Sequence, residues 1–96
     1  MFANMAFATP LPGNEEEMKE IMLNFAKTLQ GSPGLLRVHV MKEKDGNAFL
    51  GISMWESEEA FNAGMARANS VPSSGAKSEA IRQNPTVVRK FVEVIV

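Results

Sequence analysis

The sequence predicts an α+β domain in which four antiparallel strands form one sheet and two helices pack on one of its faces. Three observations predict it. Leu50, Ile52 and Met54 alternate with period two, and beyond Ser57 the apolar spacing lengthens to Ala60, Phe61, Gly64, Met65 and Ala68, so strand gives way to helix at Trp55. Met18, Ile21, Met22, Phe25 and Leu29 form one helical stripe. Asp45-Gly46 lies between two apolar, β-branched runs, which is a hairpin signature.

Taken in order, Met1 to Thr9 reads as a strand that Pro10-Leu11-Pro12-Gly13 stops. Asn14 is placed to cap the first helix, with Glu17 three residues on completing a capping-box pattern; Gly31 and Pro33 end that helix. Leu35 to Lys42 and Asn47 to Trp55 read as the second and third strands. Ser57 caps a second helix from Glu58 to about Ala68, with Glu58 and Glu59 at the positive end of its dipole. Ser70 to Gly75 reads as a loop, Ala76 to Gln83 as a short weak helix, and Thr86 to Val96 as a β-branched final strand. The order strand, helix, strand, strand, helix, strand is that of the ferredoxin-like split βαβ arrangement.

The hairpin register decides which side chains share a face. A two-residue Asp45-Gly46 turn pairs Val38 with Ser53 and Arg37 with Met54, mixing polar and apolar residues on both faces. A three-residue loop with Gly46 left-handed in a bulge pairs Leu36, Val38 and Val40 with Met54, Ile52 and Leu50, giving one wholly apolar face. The sequence favours this second register, because a slip of one residue inverts every side chain. The helix-free face then carries Leu35, Arg37, His39 and Met41 beside Trp55, Ser53, Gly51 and Phe49, with His39 across from Gly51 and Arg37 across from Ser53. Such a face is too apolar to leave in water, so a homodimer that buries it around a pocket is expected.

Composition narrows the function classes. Residues 1–96 read as a single domain, and a chain of 96 residues buries only roughly 60–65% of its unfolded surface, which favours association. A net charge of −1, with both signs interspersed, gives no electrostatic case for nucleic acid. The absence of cysteine removes disulfides and thiolate catalysis and fits the reducing cytoplasm. No stretch reads as a signal peptide or membrane anchor. The seven methionines suit an adaptable core or apolar pocket. No His/Asp/Glu set has metal-ligand spacing and no nucleotide loop is present, so no cofactor is called for; Glu15-Glu16-Glu17 is a helix N-terminus.

Pro12-Gly13 before the first helix, Pro33-Gly34-Leu35 opening the second strand, Asp45-Gly46 in the hairpin, and Trp55-Glu56-Ser57-Glu58-Glu59-Ala60-Phe61 together resemble the antibiotic biosynthesis monooxygenase family of dimeric α/β-barrel proteins. The resemblance spans essentially the whole chain. It implies the fold and a homodimer, but not one reaction, since members include anthrone oxygenases, quinol monooxygenases, haem-degrading enzymes and isomerases. The anthrone-oxygenating members use a Trp where this chain has Trp55, an Asn four residues earlier and a Tyr six residues later; here those two places hold Gly51 and Phe61. The haem-degrading members use an Asn on the first strand and a Trp and a His on or after the second helix, which align with Ala6, Gly64 and about Ser74. Haem degradation is therefore not expected.

The resemblance and the hairpin face together imply a cofactor-independent monooxygenase acting on a flat aromatic such as a quinol, an anthrone or a polyphenol. Trp55 would stack on the substrate and donate its indole N–H to a carbonyl, although a core aromatic is the plainer account. His39 would be the base and Arg37 the partner of the resulting anion; a polar pocket residue and a rim ion pair are their plainer readings. Ser53, Phe49 and Phe61 would line the site. Asn4, on the same strand face as Ala6 but two residues or about 6–7 Å away, is a candidate for the missing first-strand amide. The competing expectation is a small-ligand-binding or interaction protein that kept the barrel without the chemistry.

Overall fold

The computed structural model describes residues 1–69 and 87–94. The elements are β1 (Phe2–Ala8), α1 (Glu15–Leu29), β2 (Leu35–Lys42), β3 (Phe49–Trp55), α2 (Glu58–Asn69) and β4 (Val87–Val92). The strands form one sheet in the order β2-β3-β1-β4, every neighbouring pair antiparallel. This is the predicted ferredoxin-like architecture. The expected loop at 70–75 and weak helix at 76–83 lie outside the described residues, as do the two ends, 86 and 95–96, of the expected last strand.

Local chemistry explains most of the helix boundaries. Ser57 caps α2 as expected, its Oγ accepting the Ala60 N–H at 3.1 Å. At α1 the capping box does not form. Asn14 has φ −107° and ψ 16°, outside the extended conformation that aims a cap side chain at the first amides, and its Nδ2 donates to Glu17 Oε2 at 3.2 Å. Gly31 ends α1 in the left-handed region at φ +83°. The carbonyls freed there are held from the second helix, because Arg67 donates to Thr28 O at 3.2 Å, Leu29 O at 3.4 Å and Ser32 Oγ.

The hairpin register departs from expectation. Val38 pairs with Ser53, His39 with Ile52, Val40 with Gly51 and Met41 with Leu50, and Gly46 is not left-handed. Leu36 is the extra residue of a bulge between Leu35, opposite Trp55, and Arg37, opposite Met54. The cause lies in β3, which is apolar on both faces. The helices bury Phe49 and Trp55, at 3% and 0% exposure, and take the small Gly51 and Ser53 between them. Leu50, Ile52 and Met54 consequently face away from the helices.

Burial under the helices forms two clusters. One joins Phe2, Leu29, Trp55, Phe61 and Ala68, and the other Ala8, Met18 and Phe49. Ser53 beside Asn4 and Gly51 beside Ala6 cross the sheet between them and belong to neither. The apolar core is thus divided by a band of small and polar residues.

Candidate functional site

That band of Ser53, Asn4, Gly51 and Ala6 adjoins the cluster around Trp55. Trp55 is wholly buried and meets Phe61 edge to face, with ring centroids 5.9 Å apart at 80°. Phe61 in turn lies 5.0 Å from the Phe2 ring. Gly64 of α2 makes room for the indole, since a Cβ there would stand 2.6 Å from Trp55 Cζ3. Nothing in the sequence pattern flagged this glycine as the seat of Trp55, because the contact joins a strand to a helix face whose rotation only the fold sets.

Two polar atoms are buried in this layer without a hydrogen-bond partner, Trp55 Nε1 and Asn4 Oδ1. An unpaired buried donor or acceptor costs about 1–3 kcal/mol, so such groups in a native fold call for a partner. One atom is a donor and the other an acceptor. Asn4 pairs with Ser53 and Phe2 with Trp55, so Asn4 and Trp55 are diagonal neighbours on one sheet face, roughly 7–8 Å apart.

The structure brings five of the seven sequence-nominated residues to the helix side. Trp55, Ser53, Phe49 and Asn4 line the sheet there, and Phe61 faces them from α2. It does not bring His39 and Arg37 to them. In the observed register these two stand opposite Ile52 and Met54 on the helix-free face. The expected shared face of His39, Arg37 and Trp55 is therefore corrected: one strand layer separates them, so neither can reach a ligand held against Trp55 within one subunit.

Lys90 is the residue that sequence reading missed. It pairs with Asn4 and so belongs to the helix side, where its Nζ lies 5.4 Å from the centroid of the Phe61 ring. The alternation of Val88, Lys90 and Val92 was visible, but the facing of β4 follows only from its register with β1. Lys90 and Lys42 are the ionisable side chains that the described strands turn toward the helices, and Lys42 Nζ is bonded to Gly46 O at 2.7 Å. The described strands turn no carboxylate or imidazole to that side. Among the described residues no group of three or more His, Asp or Glu side chains could hold a metal ion. No described helix is long and apolar enough to cross a membrane.

An antiparallel four-stranded sheet carrying two helices on one face, with a lone Trp at the end of β3 and a capped helix directly after it, defines an α+β domain of the ferredoxin-like type. The chain belongs to the antibiotic biosynthesis monooxygenase family, whose sequence model matches residues 1–68. None of the curated proteins matches it in sequence. Among solved structures it is similar to Rv0793 from Mycobacterium tuberculosis, with a TM-score of 0.85 at 12% identity, covering 99% of this chain and 96% of that one. It is also similar to SnoaB, a cofactor-independent oxygenase from Streptomyces nogalater, with a TM-score of 0.76 at 18% identity over 99% of this chain and 95% of that one. A variant of MhuD with two manganese protoporphyrin IX molecules per active site matches with a TM-score of 0.77 at 18% identity, covering 100% of this chain and 97% of that one. At these identities the three structures establish a common fold.

Proposed function

We propose that this protein is a cofactor-independent monooxygenase that binds a flat hydrophobic aromatic, a quinol, anthrone or polyphenol, between its sheet and its helices. The observation that carries the proposal is the pair of unpartnered buried atoms, Trp55 Nε1 and Asn4 Oδ1, on one face of an otherwise apolar layer. The indole N–H donates to a ring carbonyl and the amide oxygen accepts from a phenol, while Phe49, Phe61 and Ser53 line the slot. With no carboxylate or imidazole on the described strands of that side, the substrate supplies the acidity: its proton leaves to water and the carbanion or enolate transfers an electron to dioxygen. For an anthrone the balance is one ring CH2 and one O2 giving one C=O and one water. The family membership and the likeness to a cofactor-independent oxygenase support the reaction class.

Haem fits this layer poorly. A side chain at Gly64 meets the Trp55 ring, so the tryptophan of the haem-degrading pattern has no space there. His39 faces away from the same layer. A second reading, a binding protein without turnover, is favoured by the Gly51 and Phe61 substitutions of the oxygenase pattern.

The open sheet face supports a homodimer. Across its middle run Arg37–Met54–Ala3–Phe91, His39–Ile52–Met5–Arg89 and Met41–Leu50–Phe7–Val87. These twelve positions are apolar at the centre and basic toward the two edge strands, and a second copy is the occupant we propose.

Oxygen uptake with a hydroquinone and anthrone panel tests the reading. Consumption that falls at least tenfold in Trp55→Phe is the expected result. Tight binding without any oxygen consumption would select the binding-protein reading, and loss of turnover in His39→Ala would instead locate the chemistry on the open face.

A further inference from the structure

We propose that Lys90 makes the helix-side layer selective for the ionised form of an acidic phenol or enol, holding the anionic oxygen beside Asn4. The inference rests on the reading of that layer as the ligand site and goes further by naming the charge state of what it binds.

Strand pairing sets the position of Lys90. Asn4 and Lys90 are directly opposed on β1 and β4, so their side chains leave the sheet on the same side as neighbours. The Lys90 chain then leans over Phe61, an aromatic of the Trp55 cluster, with Nζ 5.4 Å from the ring centroid. A cation at that distance from the ring face is held there by its quadrupole. Among the described residues no carboxylate forms an ion pair with Lys90.

Among the described residues, the other charged groups on β4 and α2 are engaged, exposed or turned away. β1 carries no charged residue. On β4, Arg89 alternates to the open face opposite Met5. Just beyond β4, Glu93 pairs with the N-terminal ammonium at 3.6 Å. On α2, Arg67 is committed to the carbonyls ending α1, and Glu58 and Glu59 are exposed in the first turn. Thus, among the described residues of these elements, Lys90 is the ammonium available to a ligand oxygen seated at Asn4; it lies on an exposed strand and reaches the layer over the buried Phe61 ring.

Within the proposed substrate class, this favours the ionised form of an aromatic hydroxyl or enol over the neutral form of the same molecule. The bound anion is also the electron-rich form that reacts with dioxygen.

The test uses the full chain and alizarin, a hydroxylated anthraquinone whose visible band reports its ionisation. In wild type the bound dye's apparent pKa is expected to fall by about one unit below the free dye, a tenfold preference for the anion. In Lys90→Met that shift should vanish while the neutral dye still binds, and Lys90→Arg should restore it. A shift that persists in Lys90→Met overturns the inference and leaves the site intact. Dye binding that Asn4→Leu does not weaken, or no binding at all, overturns both the inference and the site on which it rests.

Discussion

Asn4 separates a functional polar group from a structural one. Its Oδ1 is buried without a partner, so in the absence of ligand it is a standing cost. Replacing it with leucine, which keeps the branching and puts methyl groups in place of the amide atoms, removes that cost. We expect Asn4→Leu to raise unfolding stability by about 1 kcal/mol and to abolish aromatic ligand binding, an exchange of stability for function. Thermal denaturation and a ligand titration on the same sample check both halves; destabilisation would mean that the amide oxygen is satisfied in the native fold. Trp55 shows why such sites are half visible in a sequence. Its position at the end of a strand marked it out, but its burial against Gly64 and Phe61 depends on how α2 packs back on the end of β3, which spacing alone does not set.

At the scale of elements, the two helix starts make a controlled pair. Ser57 accepts a backbone N–H of α2, whereas Asn14 bonds a side chain and leaves the α1 amides uncapped by it. Ser57→Ala is expected to cost about 1 kcal/mol, and Asn14→Ala measurably less, by chemical denaturation. Equal losses would contradict the cap geometry. The end of α1 at Gly31 and the start of α2 at Ser57 were legible because those residues act locally. The β2–β3 register was not. Leu50, Ile52 and Met54 compete with Phe49 and Trp55 for the interior, and alternation alone cannot say which set wins when both sides of β3 are apolar. Tertiary volume decides it: the helices seat two aromatics separated by Gly51 and Ser53, with Met22 Cε 3.4 Å from where a Gly51 Cβ would lie. That one inversion moved Trp55, Ser53 and Phe49 to the helix side and left His39 and Arg37 behind.

At the scale of the molecule, the open face leaves Phe7 37%, Phe91 47% and Met41 51% exposed. Ile52 sits at its centre, flanked by His39 and Met5. An Ile52→Glu substitution places a carboxylate at that apolar centre, which pairing would have to desolvate, and is expected to give a monomer in light scattering where wild type gives a dimer. A wild-type monomer would remove the second copy from the proposal. The sequence anticipated an oily, uncovered sheet side and placed Arg37, His39 and Met41 on it as observed, but it assigned to it Leu35, Trp55, Ser53, Gly51 and Phe49, which face the helices. One detail at the rim bears on how such a molecule stays in solution. The doubled residue at Leu36 breaks the even row of amides along β2, and Arg37 and Lys42 punctuate the same border. A stray strand arriving sideways finds no regular ladder to extend, whereas an unbroken border would invite endless lateral growth into fibres; the proposed flat-on pairing is the contact that this border leaves open.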